Sequence, residues 1–530
     1  MIRIREIKVP LQEEEMSGIK KQLKKKYRLT DKDIQRVSIV KKSLDARDKN
    51  NLHYVYEVDV EAVKEKSILH QYSSNQLFRS PDKKYQFPSS GNKKLKTRPI
   101  IVGSGPAGLF AAYLLAEYHY SPLIIERGDP IEKRVEVVEK FWGEGILDPE
   151  SNVQFGEGGA GTFSDGKLNT LVKDKMGRGQ KVFEILVSCG APTEILYEKN
   201  PHIGTDLLRT VMTNMRNKII AMGGEIQYRS KLTDIVVSSH VLQAIEVNHQ
   251  TIIPCSHLIL ATGHSARDTF QMLHDHQLEM EAKPFAVGLR VQHPQKMIDL
   301  AQYGTPAVSL PPANYKLTAT TSKNRSVYTF CMCPGGYVVN ASSEDKRLVV
   351  NGMSNHKRDT ENANSAVVTS ISPDDFGRDP LAGIEFQRRL EEKAYQLGNG
   401  KIPIQLWKDY LENKETKELG TITPVMKGKY QFANLNLLFP ESINEALKEG
   451  ITTFDHKIKG FACRDMILAG IESRTSSPVR INRDSLTGNS SIEGIYPCGE
   501  GAGYAGGITT ASMDGIYIAE CLATTYAPIE

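Results

Sequence analysis

A glycine-rich turn between two apolar segments constrains this chain more than any other feature. The segment "PIIV", from Pro99 to Val102, predicts a short strand, and it ends at a GxGxxG turn. A helix-period run, "LFAAYLLAEY", follows the turn, and a second apolar run, "PLIIE", ends at Glu126. This order of a strand, a glycine turn, a helix, a second strand and an acid predicts a Rossmann βαβ unit that binds a dinucleotide.

Each glycine of the turn has a steric task. We expect Gly103 to form the tight turn, Gly105 to let a pyrophosphate approach the backbone, and Gly108 to let the helix pack against the strand. The helix that follows would offer its free N–H groups and the positive end of its dipole to the phosphates, and Pro106 and Ala107 beside the glycines are further predicted cofactor contacts. A glycine turn that binds no ligand is the alternative, and the complete series of elements argues against it.

The end of the second strand predicts the ribose site. Glu126 lies about twenty residues beyond the glycines, where an acid accepts hydrogen bonds from the ribose hydroxyls. Arg127 follows it as a further predicted cofactor contact. Because a carboxylate repels a 2′-phosphate, NADP is disfavoured at this site.

Two segments far downstream favour FAD over NAD. "HLILATGHSAR" is an apolar strand that ends in an ATG turn, and "IEGIYPCGEGAGYAGGITTASMDG" predicts a strand, a glycine-rich turn and a helix. These segments resemble flavoproteins of the glutathione reductase superfamily, in which an ATG strand and a late GD segment close over the FAD. The resemblance implies contacts from Ala261, Thr262, Gly263, Gly499, Glu500, Gly507 and Ile508.

The late turn departs from that superfamily at one position. Glu500 stands where Asp is usual, and it still offers a carboxylate to the ribitol. The helix that follows would point its N-terminus, near Gly507 and Ile508, at the pyrimidine edge of the flavin, where negative charge develops on reduction.

Longer motifs extend the resemblance over nearly the whole chain. "NVQFGEGGAGTFSDGKLNT", "FCMCPGGYVVNASSE", "NGMSNHKRD" and "ESRTSSPVRI" are similar to a family of largely uncharacterised bacterial FAD-dependent dehydrogenases. The resemblance implies FAD as cofactor and leaves the reaction open. It also implies that main chain around Leu232 contacts the adenine. In similar flavoproteins a loop like Gly156–Thr170 lies beside the flavin, which gives Gly161, Thr162, Ser164 and Lys167 as predicted contacts.

Several side chains are candidates for the chemistry. Lys167 could stabilise the anion of the reduced flavin, and His264 and His356 could exchange protons near neutral pH. Cys333 and Cys331 lie two apart on one strand face, which leaves open a thiol–flavin relay or a pair of buried strand cysteines. Two thiols without further ligands do not make a metal site.

An arginine-rich segment predicts where an anionic small-molecule substrate would bind. Arg474, Arg480 and Arg483 carry guanidinium groups that match carboxylate and phosphate oxygens. A network of ion pairs with Glu472 and Asp484 that only holds the fold is the alternative, and the sequence favours neither.

The order of these segments predicts an α/β protein with a glutathione-reductase-like FAD domain. We expect a ferredoxin-like α+β module over 1–63, a linker or arm over 64–97, FAD-binding parts over 98–278 and 456–530, and an inserted β-rich substrate or cap domain over 279–455. Within the insert, "GIEFQRRLEEKAYQLG" and "PIQLWKDYLENK" predict helices. Because the insert has no second GxGxxG, NAD(P)H would bind only transiently at the flavin or would not bind at all.

Composition narrows the class of protein. The 530 residues carry a net charge of +4, which is too small to indicate a dedicated nucleic-acid binder, although one basic run spans Lys20 to Arg28. The sequence shows neither a signal peptide nor a membrane-spanning segment, which predicts a cytoplasmic protein, and the seven cysteines have no regular disulfide spacing.

These observations favour an FAD-dependent oxidoreductase that transfers hydride between a small molecule and the flavin. A flavoprotein that acts on or binds RNA is one alternative, and a protein that uses FAD only to stabilise its fold is another. The sequence leaves the substrate, the electron donor or acceptor and the oligomeric state open.

Overall fold

The N-terminal module has a β-α-β-β-α-β element order. In the computed structural model, which describes residues 1–81, 84–170, 172–304 and 310–529, its sheet is antiparallel with the last strand beside the first. The elements are strands Ile2–Pro10, Ile34–Asp45, His53–Ala62 and Leu77–Arg79 and helices Glu15–Tyr27 and Glu65–Tyr72. Strands Ile34–Asp45 and His53–Ala62, which are consecutive in the chain, form an antiparallel hairpin.

The module continues beyond residue 63, where we predicted a linker to begin. Helix Glu65–Tyr72 buries only Ile68, and the strand that follows has three residues, so neither produces a clear apolar period. That strand completes the sheet by pairing with Ile2–Ile4. Further along, Lys93–Lys94 pairs with Tyr526–Ala527, so this part of the connection lies against the C-terminus.

A parallel sheet joins segments from both ends of the chain. Its strands, in spatial order, are Ile495–Pro497, Leu258–Leu260, Ile100–Val102, Leu123–Ile125 and Glu225–Gln227. All but the last are wholly buried, as expected for a parallel sheet with both faces covered. Because the carboxyl ends of parallel strands share one edge, this order brings the early, ATG and late turns together.

Helices and a small antiparallel sheet surround this parallel sheet. The early helix, Pro106–Glu117, and the late helix, Ile508–Thr525, pack against each other. A Cβ atom on Gly515 would lie 2.1 Å from the carbonyl oxygen of Ala107, so only glycine permits their close approach. The other elements are helices Ile131–Glu144, Arg178–Ser188, Thr205–Ala221 and Arg267–Asp275 and strands Leu232–Ser238, Val241–Val247 and Thr251–Pro254.

The second domain is built on a large mixed sheet. Its strands, in spatial order, are Thr318–Thr320, Ser326–Cys333, Asn362–Ile371, Phe285–Pro294, Ile467–Glu472, Ile402–Leu406 and Tyr430–Phe432. Around it lie helices Gln295–Tyr303, Pro373–Phe376, Ala382–Leu397, Trp407–Leu411 and Glu441–Asp455 and strands Met280–Ala282, Tyr337–Asn340, Val350–Met353, Met426–Lys427 and Val479–Ile481.

Two predictions for this domain are wrong in detail. Strand Ile467–Glu472 lies inside the large sheet, so this domain does not end at residue 455. The predicted helix "PIQLWKDYLENK" is instead strand Ile402–Leu406 followed by the short helix Trp407–Leu411. Burial of both faces gives these strands continuous apolar runs, which a periodicity argument cannot separate from a buried helix.

Two classes of feature are absent from the part of the chain that the structure describes. No helix there is long and apolar enough to cross a membrane. The same residues contain no cluster of three or more His, Cys, Asp or Glu side chains that could hold a metal ion.

Candidate functional site

The early, ATG and late turns open into one cavity of about 360 Å³. The parallel sheet and its turns form one wall, and residues of the large sheet, among them Cys331, Asn351 and Glu472, form another. The lining contains most of the predicted cofactor contacts: Gly103, Gly105, Pro106, Ala107, Glu126, Arg127, Gly161, Ser164, Lys167, Leu232, Ala261, Thr262, Gly263, Glu500, Gly507 and Ile508.

Three predicted contacts, Gly108, Thr162 and Gly499, do not line the cavity but contact the turns that do. A Cβ atom on Gly108 would lie 1.9 Å from the carbonyl oxygen of Gly103, so this glycine lets helix and strand meet. Buried Thr162 donates a hydrogen bond to the Glu157 carbonyl, and the N–H of Gly499 donates to Asp514. These residues therefore support the turns from behind.

Both helix N-termini at the cavity are uncapped. Gly105 and Gly507 occupy the N-cap positions, and neither helix has a side-chain cap. A Cβ atom on Gly507 would meet nothing within 4 Å, and one on Gly105 would meet only Gly159, at 3.8 Å. Free N–H groups at the positive ends of two helix dipoles therefore face open space, which suits the pyrophosphate and the electron-accepting edge of one FAD.

The loop after the first βαβ unit lies between these two N-termini. A Cβ atom on Gly161 would lie 3.2 Å from Ile508 and 3.7 Å from Pro106. Ser164 donates a hydrogen bond to the carbonyl of Gly161 and accepts one from the N–H of Gly166, which fixes the loop backbone. The loop thus leaves a narrow passage that backbone and small side chains line.

Glu126 joins three segments at the predicted ribose end. Its buried carboxylate accepts hydrogen bonds from the N–H and the hydroxyl of Ser104, at 2.8 Å each, and from the N–H groups of Gly128 and Gly156. A ribose hydroxyl would therefore share this carboxylate with Ser104. The sequence predicted the acid, and the structure adds its role in holding the turn.

Arg127 forms one side of the same end of the cavity. Its guanidinium lies 4.0 Å from the centre of the Phe155 ring, and it donates hydrogen bonds to Glu150 and to both oxygens of Asp268. The Lys231 ammonium also contacts Asp268, at 2.6 Å. These pairs fix a flat cationic surface beside the predicted adenine position.

Lys167 lines the cavity and is held by a buried acid. Its ammonium nitrogen is 3.8 Å from Asp165, whose carboxylate also accepts hydrogen bonds from Arg358 and Ser354. Burial alone would raise the pKa of Asp165, but Lys167 and Arg358 outweigh it and lower that pKa. Asp165 therefore stays ionised, and its carboxylate holds the Lys167 side chain at the cavity wall.

His264 also lines the cavity, beside the late turn. Its Nδ1 lies 3.1 Å from the Glu500 carboxylate, so the two candidate side chains form one hydrogen-bonded pair. The other candidate histidine, His356, lies outside the cavity lining in the part of the chain that the structure describes. Its ring stacks on the ring of His202, and its Nδ1 forms a hydrogen bond with the Ile203 carbonyl oxygen. The structure gives His356 a packing role.

The thiol in the cavity lining is Cys331, and the predicted Cys333 is fully buried behind it. The pairing of strand Ser326–Cys333 with Asn362–Ile371 shifts register between Phe330 and Cys333, which marks a β-bulge. A bulge redirects a side chain that strand alternation would place on the other face. Alternation alone could not show which thiol reaches the cavity.

Sequence reasoning also missed a buried carboxylate at this wall. Glu472 lines the cavity at 2% exposure, and Arg290 donates a hydrogen bond to its Oε2 at 3.0 Å. Burial raises the pKa of Glu472, and Arg290 only partly offsets this effect. We had named Glu472 only as a structural ion-pair partner, and no motif in the sequence distinguishes it.

The three arginines of the predicted substrate cluster do not converge. Arg474 reaches the lining, yet its guanidinium donates to Glu391, Ser265 and Ser343. Arg480 lies over the Tyr504 ring, and Arg483 binds both oxygens of Asp514; neither lines the cavity. These contacts correspond to the fold-holding alternative, although the acids are Glu391 and Asp514 and not the predicted Glu472 and Asp484.

The basic run Lys20–Lys26 lies on the N-terminal helix. Lys21 and Lys24 pair with Glu13 and Asp31, at 2.5 and 2.7 Å. Among the described residues that line the cavity, none belongs to this run. Its position gives no support to the hypothesis that a basic face guides RNA to the flavin.

Comparison with known sequences gives the family. An uncharacterized protein of Clostridium beijerinckii (strain ATCC 51743 / NCIMB 8052) is 47% identical over 525 residues, which covers 98% of each chain. Residues 284–475 match the description "FAD-dependent protein, C-terminal domain-like", and residues 101–131 match "NAD(P)-binding Rossmann-like domain". The chain belongs to this family of FAD-dependent proteins. FAD is its cofactor, and both the predicted resemblance and the predicted cofactor are confirmed.

Three further matches concern the N-terminal residues and the fold. Residues 1–61 match a domain of unknown function, "DUF8436". The L-proline dehydrogenase of P. horikoshii superposes with a TM-score of 0.33 at 12% identity, over 81% of this chain and 93% of that chain. Glycine oxidase of Bacillus cereus ATCC 14579 gives 0.31 at 10% identity, over 81% and 95%. Scores this low do not establish a common fold.

Proposed function

We propose that this FAD-dependent protein is an oxidoreductase that transfers a hydride between a small-molecule substrate and the flavin. Bound FAD supplies two-electron chemistry, while the protein positions the reactants and manages charge and protons. The observation that carries this proposal is the meeting of two uncapped helix N-termini in one cavity whose other wall comes from the large sheet.

The wall formed by the parallel sheet and its turns, which we call the nucleotide side, provides the residues that would hold FAD. The early helix N-terminus at Gly105 would bind the pyrophosphate, Glu126 would share a ribose hydroxyl with Ser104, and Glu500 would accept from the ribitol. Glycines at these turns leave the space that the cofactor needs, because any Cβ atom on Gly507 would project into it.

Residues from both walls of the cavity would handle charge and protons. Lys167, held 3.8 Å from the Asp165 carboxylate, would stabilise negative charge on the reduced flavin. Glu472 has the properties of a proton acceptor or donor, because burial raises its pKa and Arg290 occupies only one of its oxygens. His264 with Glu500 is a second proton-exchanging pair.

We further propose a glutathione-reductase-type arrangement of the FAD domain and a ferredoxin-like N-terminal module. The module's β-α-β-β-α-β order, with the last strand beside the first, supports the second assignment. The expected partners are a small-molecule substrate and a transient NAD(P)H, since the inserted domain has no GxGxxG turn that would hold a second dinucleotide.

An anaerobic reduction experiment tests the proposed function. The FAD-loaded protein is mixed with NADH, NADPH and a panel of small metabolites while the visible absorbance of the flavin is followed. We expect at least one donor to bleach the flavin rapidly and a Lys167→Gln variant to be bleached more slowly at equal FAD content. If the FAD stays oxidised with every donor, the purely structural role of FAD replaces this proposal.

A further inference from the structure

Two cysteines, Cys331 and Cys333, lie in an irregular part of strand Ser326–Cys333. This strand belongs to the large sheet, whose wall of the cavity we call the substrate-side wall. Cys331 lies at the bulge with a φ of 45°, in the left-handed region that non-glycine residues seldom adopt. It is half-buried and lines the cavity, while Cys333 is fully buried. The Cys333 thiol lies 3.4 Å from the Cys331 carbonyl oxygen. Irregular backbone next to a cavity is typical of functional positions.

The charges around Cys331 favour its thiolate. The neighbouring Cys333 thiol lowers the pKa of Cys331 most, and the positive charges of Lys167 and Arg290 lower it further. Burial and the Asp165 carboxylate oppose this effect without reversing it. Glu472, the other acid close to Cys331, has a raised pKa, so it places less negative charge beside the thiol.

The remaining thiols differ in both position and acidity. Burial raises the pKa of each of the other cysteines outside the pair, namely Cys189, Cys255, Cys463, Cys498 and Cys521. Cys333, whose thiol donates to the Cys331 carbonyl oxygen, has a pKa raised by the neighbouring Cys331 thiolate and by burial, and so keeps its proton. Cys331 therefore combines access to the cavity with thiolate character, the two properties that make a thiol reactive.

We propose that Cys331 is a nucleophilic site for thiol–disulfide exchange with small disulfides that enter the cavity, and that Cys333 resolves the mixed disulfide. In the first step the Cys331 thiolate attacks one sulfur of a disulfide RS–SR, forms Cys331–S–SR and releases RS⁻. Once Cys331 carries the mixed disulfide, its negative charge no longer opposes ionisation of Cys333, which passes its proton to the released RS⁻ or to solvent. In the second step the Cys333 thiolate attacks the Cys331 sulfur, forms the Cys331–Cys333 bridge and releases a second RS⁻.

This activity goes beyond the proposed function, because neither step uses FAD. A regular extended strand would hold the two Cα atoms about 6.6 Å apart, near the upper limit for a disulfide. The register shift and the φ of 45° at Cys331 depart from that regular spacing, and the second thiol gives an intramolecular route out of the mixed disulfide. A bridge across so few residues is strained and therefore easily reduced again. A small disulfide would thus modify the substrate-side wall reversibly.

The test uses 2,2′-dithiodipyridine, a small uncharged disulfide whose released thiol absorbs in the near ultraviolet. The FAD-loaded protein is mixed with this probe between pH 5.5 and pH 9, and the cysteine peptides are then mapped by mass spectrometry. We expect a fast phase that releases two thiols per chain and leaves a bridged Cys331–Cys333 peptide. In Cys333→Ser the fast phase should release one thiol and leave the mixed disulfide on Cys331.

The pH dependence separates a reactive thiol from a merely accessible one. A lowered pKa raises the thiolate fraction but weakens the nucleophile, and the two effects partly offset each other at neutral pH. At pH 5.5 the thiolate fraction dominates, so Cys331 should react about ten-fold or more faster than half-buried Cys463. The fast phase should depend little on pH above pH 7.5, whereas an ordinary thiol gains rate up to about pH 8.5.

The matched variants are Cys331→Ser and Cys463→Ser, each checked for unchanged FAD content. The first should abolish the fast phase, and the second should leave it unchanged. Any of three results would overturn the proposal. The fast phase survives in Cys331→Ser, the Cys331 peptide of the wild type is left unmodified, or the rate of the fast phase keeps rising up to pH 8.5. If a hydride donor still reduces the flavin in Cys331→Ser, that result supports the proposed function. The proposed oxidoreductase function and the proposed thiol–disulfide exchange can therefore fail separately.

Discussion

The contact between the early and late helices offers a sharp test of how the cavity is built. At Gly515 in the late helix, a Cβ atom would lie 2.1 Å from the carbonyl oxygen of Ala107 in the early helix. At Gly143, an exposed position in helix Ile131–Glu144, a Cβ atom would meet nothing within 4 Å. We therefore compare Gly515→Ala with Gly143→Ala.

The two substitutions share one energy term and differ in another. Both gain about 1 kcal/mol of helix propensity, because alanine replaces glycine inside a helix. Only Gly515→Ala forces an added methyl group 1.3 Å inside the 3.4 Å at which ordinary contact begins. Overpacking of this kind costs about 1–3 kcal/mol, so the free energies of unfolding of the two variants should differ by about that amount.

Thermal unfolding and FAD retention provide the measurements. Gly143→Ala should raise the unfolding midpoint slightly and retain FAD. Gly515→Ala should lower the midpoint relative to Gly143→Ala by a few degrees and should release FAD more readily on dilution, because the late helix shifts at the cavity. If Gly515→Ala stabilises the protein as much as Gly143→Ala, the close helix approach and the cavity geometry built on it are wrong.

Three further substitutions test the supports of the cavity. Glu126→Gln places amide hydrogens against backbone N–H donors, so it should destabilise the nucleotide side by about 1–3 kcal/mol and lower FAD content in the purified protein. Asp514→Asn removes the charge that holds the Gly499 N–H and Arg483, so FAD should bind about ten-fold more weakly in a fluorescence titration. Glu391→Gln should lower the thermal midpoint strongly at pH 7, because Arg267 and Arg474 would lose their buried carboxylate.

The Glu391 prediction has a defined pH dependence. Burial would raise the pKa of this carboxyl, but Arg267 and Arg474 outweigh it and hold the pKa far below its ordinary value. A carboxyl whose pKa is lowered by folding stabilises the folded protein at pH values above its unfolded-state pKa of about 4.3. This stabilisation is lost as the pH falls below that value. The difference in midpoint between wild type and Glu391→Gln should therefore be full at pH 7 and shrink below about pH 4.

The nucleotide side of the cavity was predictable because its chemistry requires particular residues in a particular order. Gly103, Gly105 and Glu126 follow strands at fixed spacing, and the ATG and late glycine turns carry longer motifs. The structure brings these segments to one sheet edge, as parallel strand order demands. Local signals were therefore sufficient for this half of the site.

The substrate side was not predictable, because its residues meet only through the tertiary fold. Glu472 ends a strand that periodicity did not assign to the large sheet, and its partner Arg290 comes from a strand about 180 residues earlier. The bulge that exposes Cys331 instead of Cys333 has no sequence signal, since strand alternation places both on one face. Arg474 carried the expected charge, but burial directs it to Glu391.

The central claim is that an early and a late glycine turn hold opposite ends of one FAD. An experimental structure of the FAD-loaded protein tests it most directly. We predict the pyrophosphate at the N-terminus of the early helix, beside Gly105, and the isoalloxazine beside Gly507 and Ile508, facing Cys331 and Glu472. An isoalloxazine bound away from the late helix, or a cofactor held by the early turn alone, would contradict the claim.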